Sequence, residues 1–296
     1  CKFVRIWDKT LFREMFSYSS WSLFGGMASV VPLQGVNILL NMFFGPAINA
    51  ARAIAYQVNT AVSSLYSSFT QAVNPQIVKQ YSAGNIEYMH QLIFRSCKFT
   101  FLLVLLLACP ILLETRMILQ FWLGTVPEYA VSFCRLVLIT TMIDSISMPL
   151  VPAVNATGKI RNYQIIVGAT LLMNLPLSYI ALEITGIPEY CFVVGIFMAV
   201  IVVGIRLWIC HRLLSISIRF FCIYVIFRIL LTSLVALIPF FAKSLFGISP
   251  FQWGTNIVVG LLFVISSIWF IGINSIERRF VYQSMLSLKK RLCSSF

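Results

Sequence analysis

The sequence is poor in charged residues and histidines and lacks paired cysteines. Only 10% of its 296 residues are charged, whereas soluble domains carry about 25%, which excludes a single water-soluble enzyme domain. Two histidines are too few for a His-rich metal site. The eight cysteines form no CxxC pair and lie mostly in apolar runs, which is typical of small buried hydrophobes. We therefore expect neither a metal centre nor a disulfide framework.

Catalytic motifs are missing as well. The sequence has no Gly-rich phosphate loop, no HExxH motif and no nucleophile elbow. No two carboxylates are spaced for acid–base chemistry, and the segments between apolar runs are short. Short segments also argue against a membrane-embedded polymerase or glycosyltransferase, which needs a large external loop. We expect no enzymatic activity and no cofactor.

Hydrophobic residues make up 59% of the chain, and the mean hydropathy is +0.91. This composition predicts an all-α polytopic membrane protein, because a helix needs about 20 apolar residues to cross a bilayer. About eight transmembrane helices are predicted, over residues 17–44, 48–78, 97–119, 131–153, 163–182, 190–210, 220–242 and 254–273.

The chain is strongly basic, with 22 Lys and Arg against nine Asp and Glu, a net charge of +13. In a soluble protein this excess would suggest nucleic acid as a partner, but here the positive-inside rule accounts for it, and no nucleic acid is expected. Most cations fall in the N-terminal segment, the tail and alternate loops, which places both termini in the cytoplasm. The cations assigned to these loops are Lys79, Arg95, Lys98, Lys159, Arg161, Arg206, Arg212 and Arg219.

Four regions follow from this pattern. We predict a cytoplasmic amphipathic segment at 1–16, a six-helix lobe at 17–210, two additional transmembrane helices at 211–273 and a basic cytoplasmic tail at 274–296. Because the chain begins with Cys1 and not with methionine, we expect it to be part of a longer protein.

The first two predicted helices carry unusually many polar residues for membrane spans. Steps of three and four residues place them on one stripe of each helix. Such residues either hydrogen-bond neighbouring helices or line a hydrated cavity, and their number favours a cavity. The candidate cavity residues are Gln34, Asn37, Asn41, Arg52, Tyr56, Asn59, Ser63, Ser67 and Gln71, with Asn74 continuing the row.

Two charged residues within the spans have alternative interpretations. Arg52 lies near the start of the second helix, where it either reaches to the interface or binds an anion, since guanidinium matches phosphate. Asp144 lies in the middle of the fourth helix, at a depth where a carboxylate is costly. It is a candidate for coupling transport to an ion, and a structural hydrogen bond is the alternative.

Several segments carry a resemblance to a known family. The chain resembles bacterial polysaccharide flippases, the O-antigen type, of the superfamily that also contains the MATE drug exporters. The resemblance rests on Gln34-Gly35-Val36-Asn37-Ile38-Leu39-Leu40-Asn41, Phe44-Gly45-Pro46, Asn49-Ala50-Ala51-Arg52, Asn74-Pro75-Gln76-Ile77 and the stretch from Asn155 to Tyr163.

The resemblance implies a MATE-like fold of two lobes, of which this chain is the C-terminal one. It implies alternating access around a central cavity, with a polyprenyl-pyrophosphate-linked oligosaccharide as cargo in the bacterial inner membrane. Arg52 would then contact pyrophosphate or sugar, and the amides would contact sugar. Its implied partners are membrane lipid, an N-terminal lobe and polysaccharide assembly proteins. The alternatives are a cation-coupled drug antiporter of the MATE type and a truncated, non-functional remnant.

Overall fold

Helices build most of the described chain. The computed structural model describes residues 8–238, 253–274 and 277–279, and within them it contains no strand. Two π-helical turns lie at Cys222–Ile226 and Ile268–Gly272. The helices are α1 Lys9–Phe44, α2 Pro46–Ser82, α3 Ile86–Leu113, α4 Thr115–Leu123, α5 Ala130–Ser147, α6 Leu150–Ala156, α7 Arg161–Thr185, α8 Tyr190–Leu214, α9 Ile218–Phe221, α10 Phe227–Ala236 and α11 Trp253–Ser267.

The prediction of an all-α polytopic membrane protein is confirmed. Six helical stretches of the described chain are long and apolar enough to cross a membrane: Lys9–Phe44, Ile86–Leu113, Ala130–Ala156, Arg161–Thr185, Tyr190–Leu214 and Ile218–Ala236. Two predicted spans fall outside this set. Helix α2 has 37 residues but is too polar, and the described apolar helix Ile257–Gly272 is too short.

Several boundaries differ from the sequence prediction. Helix α1 begins at Lys9, capped by Asp8, whose carboxylate accepts the backbone N–H of Thr10 at 2.8 Å. Residues 9–16 therefore continue the first long helix. The predicted fourth span is broken between α5 and α6, because Pro149 has no backbone N–H to continue the helical ladder. Residues 239–242 of the seventh span and most of the tail lie outside the described residues.

Five helices form a closed ring. Each of α1, α7, α8, α5 and α2 packs against the next, and α2 returns to α1. Small residues allow α1 and α7 to approach closely. A Cβ on Gly168 would lie 3.0 Å from the Phe24 ring and 3.1 Å from the Ala28 methyl group. Tyr56 and Asn59 of α2 face the interior of this ring, whereas Ser64 and Gln71 are exposed.

Helices α9 to α11 pack on α3, at the side of the ring. Apolar contacts dominate here, with Phe101, Leu105, Val202 and Phe221 in one buried cluster. One buried ion pair joins α3 to residues 277–279, between Lys98 Nζ and Glu277 Oε2, at 2.5 Å. The assignment of Lys98 to a cytoplasmic loop was therefore wrong, since its side chain is buried within the helical core.

Candidate transport cavity

A polar cavity of about 590 Å³ lies between α2 and the segment that follows α5; we call it the amide cavity. The i, i+4 spacing of polar residues on α2 supplies one wall, and the α5–α6 break turns the opposite wall toward it. The lining residues are Asn59, Thr60, Ser63, Ser64, Tyr66, Ser67, Thr70, Gln71, Asn74, Met148, Val151, Pro152 and Asn155.

The lining of the amide cavity is polar but uncharged. Most of its side chains end in an amide or a hydroxyl, and no carboxylate or cation is among them. Gln71 donates to Ser67 Oγ at 3.3 Å, which orders the groups along the helix. The Oδ1 atoms of Asn74 and Asn155 are buried and have no hydrogen-bond partner among the described residues. Because buried amide oxygens are costly to leave unpaired, they are available to a donor on a ligand.

A smaller cavity of about 250 Å³ lies inside the ring of five helices; we call it the carboxylate cavity. Asp144 lines it together with Tyr56, Phe192 and Asn174. Asn59 lines both cavities, and its Oδ1 accepts hydrogen bonds from Ser63 and Thr141. The Asn59 side chain thus forms part of the partition between a neutral cavity and one that holds a carboxylate.

Arg206 supplies the positive charge that acts on Asp144. The sequence prediction placed Arg206 in a cytoplasmic loop, and this was wrong: it lies in α8 and is 8% exposed. Its Nη1 donates to Ser147 Oγ at 2.9 Å, in the last turn of α5. Arg206 and Asp144 attract each other but form no ion pair within the part of the chain that the structure describes.

Arg52 is buried between the first two helices. Its Nη1 donates to Asn37 Oδ1 at 3.1 Å, and its Nη2 donates to the carbonyl oxygen of Leu33 at 2.7 Å. Its guanidinium carbon lies 4.5 Å from the centre of the Tyr56 ring. These contacts use Nη1 and Nη2, while the buried Nε has no hydrogen-bond partner among the described residues. Arg52 lines neither cavity.

The predicted cavity residues therefore divide into two groups. The structure brings Asn59, Ser63, Ser67 and Gln71 together in the amide cavity, and it places Tyr56 beside Asp144 in the carboxylate cavity. The α1 amides lie elsewhere. Asn37 binds Arg52, while Gln34 and Asn41 are exposed and line neither cavity.

Sequence reasoning missed Tyr66 and Asn155 as cavity residues. Tyr66 stands three residues after Ser63, so the spacing that selected Ser63 could have found it. Asn155 lies beyond the break at Pro149, where the periodicity of the fourth span no longer gives the direction of a side chain. Only the three-dimensional course of α6 brings it to α2.

A family model matches the part of the sequence that builds most of the two cavities. The MatE model matches residues 24–180, which include α2, α5, α6 and most of the ring. All residues that line the amide cavity lie within this range. No curated protein and no solved structure matches the chain. Because the match covers more than half of the sequence, this chain belongs to the MatE family of membrane transporters.

Proposed function

We propose that this protein takes part in moving a lipid-linked oligosaccharide, carried on a polyprenyl pyrophosphate, across the bacterial inner membrane for surface polysaccharide synthesis. The neutral lining of the amide cavity carries this proposal. A sugar is a dense array of hydroxyl groups, which amides and hydroxyls match as both donors and acceptors. The volume of about 590 Å³ lies within the range of about 300–1,000 Å³ found for ligand pockets.

The exposed side of α2 supports transport between two halves. Gln57 and Ser68 are exposed there beside Ala61 and Ala72. The Ser68 hydroxyl donates to the carbonyl oxygen of Ser64, but lipid would give the Gln57 amide no partner. Alternating access needs a second lobe across such a surface. We propose that this side faces that lobe, with both termini in the cytoplasm.

Cation-coupled drug export is the second candidate function. The carboxylate cavity favours it, because Asp144 beside Tyr56 and Phe192 suits a cationic ligand. Its volume of about 250 Å³ is below the range of about 300–1,000 Å³ for ligand pockets. We therefore propose that Asp144 serves an ion that drives transport, and that the larger neutral cavity holds the cargo.

Deletion of the gene in its source cell tests the proposal. The lipid-linked oligosaccharide of the inner leaflet and the surface polysaccharide are quantified together. We expect the first to accumulate and the second to fall. Unchanged levels of both, with faster accumulation of a cationic dye in the deleted strain, would replace the proposal by drug export.

Variants expressed in the deleted strain locate the site. Asn74→Leu/Asn155→Leu removes the two unpaired acceptors and is expected to lower restoration of surface polymer roughly tenfold. Gln91→Leu/Gln120→Leu removes two exposed amides outside both cavities and away from α2, and serves as the matched control. Asp144→Asn is expected to make polymer export insensitive to collapse of the ion gradient. Equal activity of all variants at equal expression would contradict the site assignment.

A further inference from the structure

Two adjoining grooves run along the outer side of α1. The first, here called the basic groove, has a volume of about 800 Å³ and lies between the start of α1 and the loop from α6 to α7. The second, here called the apolar groove, has a volume of about 640 Å³ and follows α1 toward its middle. Tyr18 and Ser19 line both grooves, so the two are continuous.

The basic groove is built to attract an anion. Arg13, Lys159 and Arg161 line it and are exposed, and Glu14 is the one carboxylate among its lining residues. The Arg161 guanidinium carbon lies 5.4 Å from the centre of the Trp21 ring. Stacking of this kind restrains a guanidinium while leaving its N–H groups free to bind phosphate oxygens. The groove thus combines a net positive charge with a positioned phosphate-binding group.

The apolar groove suits a hydrocarbon chain. Leu23, Met27 and Val30 line it and are 67%, 57% and 54% exposed. Gly26 also lines the apolar groove, and the space beside it is empty: a Cβ there would meet no atom within 4 Å. From Tyr18 to Val30 the helix rises about 18 Å, close to the roughly 15 Å of one hydrocarbon leaflet. One acyl chain of a lipid fits this length.

We propose that the two grooves form a binding site for an anionic glycerophospholipid, with its phosphate in the basic groove and an acyl chain in the apolar groove. The continuity through Tyr18 matches a ligand whose charged head and apolar tail are joined. Because the basic groove carries a net positive charge, we expect it to bind an anionic lipid more strongly than a zwitterionic one. The site lies on the outer side of α1 and α7, apart from both cavities, and it does not depend on which cargo is carried.

Quenching of tryptophan fluorescence by brominated lipids tests the site. The full chain is reconstituted in phosphatidylcholine vesicles that contain brominated phosphatidylglycerol or brominated phosphatidylcholine. Subtracting the signal of Trp21→Phe from that of the parent isolates Trp21 from the other five tryptophans. We expect phosphatidylglycerol to be preferred at Trp21 by about tenfold, since each nearby cation favours an anionic lipid. Equal quenching by the two lipids would overturn the proposal.

Charge variants distinguish a built site from a diffuse effect of net charge. Arg13→Gln/Lys159→Gln/Arg161→Gln is expected to abolish the preference, while Arg13→Lys/Arg161→Lys retains most of it. The control Lys79→Gln/Arg212→Gln/Arg219→Gln removes the same charge from exposed cations assigned to the same side of the membrane, and it should retain the preference. An equal loss in the control would overturn the proposal.

Competition identifies the source of the phosphate. Inorganic phosphate lacks a tail and is expected not to displace brominated phosphatidylglycerol from Trp21. Displacement by millimolar inorganic phosphate would show a site for a free anion. Displacement by a small mole fraction of polyprenyl pyrophosphate would assign the grooves to that lipid. Either displacement would overturn the assignment to a glycerophospholipid, whereas the absence of both would support it.

Discussion

Arg52 shows how one side chain can link two membrane helices. Its guanidinium binds an amide and a carbonyl oxygen on α1 and stacks on Tyr56 of its own helix. A buried cation needs such partners, because hydrocarbon offers none. The geometry favours a role in holding α1 against α2. This differs from the cargo contact that the family resemblance implies for the same residue.

We expect Arg52→Gln to destabilise the protein by about 1.5–3 kcal/mol, the range for hydrogen bonds to charged groups. Arg52→Lys is expected to recover only part of this, since an ammonium group cannot reproduce the guanidinium fork. Thermal unfolding of the purified variants in detergent measures the effect. Lost transport by Arg52→Gln with unchanged thermal stability would instead indicate a direct contact with cargo.

The sequence predicted some of the individual residues of the candidate site. The i, i+3 and i, i+4 row on α2 correctly selected Asn59, Ser63, Ser67 and Gln71, because helical periodicity fixes which side chains share a face. The same rule grouped Gln34 with Asn37, but it gives only relative direction and not what lies opposite. Lys98 and Arg206 were assigned to loops from charge alone, since their buried partners are distant in sequence.

Gly45 sets the turn between α1 and α2. Its φ of 78° and ψ of −179° fall in a region of backbone space that only glycine adopts readily. Space is not the constraint, since a Cβ there would meet no atom within 4 Å. The strain of a side chain at this position would therefore be purely conformational. Gly45 ends one long helix and Pro46 starts the next, which lets α2 pack back along α1.

We expect Gly45→Ala to destabilise the protein by about 1–3 kcal/mol, the cost of a non-glycine residue in that region. Gly186→Ala is the matched control, because Gly186 has a φ of 63° and a ψ of 16°, in the left-handed helical region that other residues tolerate better. Thermal unfolding compares the two variants. A smaller loss for Gly45→Ala than for Gly186→Ala would contradict this account.

For the whole molecule, hydropathy predicted the class of fold but not the interruptions of its helices. Apolar runs place the spans because a bilayer demands about 20 such residues. Pro149 breaks the fourth span, which a hydropathy pattern cannot show because the chain remains apolar across that point. Glu114 separates α3 from α4 inside the predicted third span, where one polar stretch, Glu114-Thr115-Arg116, interrupts a long apolar run. The packing of α9 to α11 on α3 was also beyond the sequence, because contacts between distant apolar faces leave no local signal.

The Lys98–Glu277 ion pair joins α3 to residues 277–279, which follow α11. The two side chains are 3% and 6% exposed, so each charge depends on the other for compensation. We expect Lys98→Met alone or Glu277→Gln alone to cost about 3–5 kcal/mol, because each leaves a buried charge or its partner unpaired. The double variant Lys98→Met/Glu277→Leu should recover most of that loss.

Thermal unfolding of the two single variants and the double variant in one detergent gives the coupling energy between the two charges. The exposed Lys79→Met variant is the control. Additive losses in the double variant would show that the two charges are independent and that apolar packing alone attaches α9 to α11.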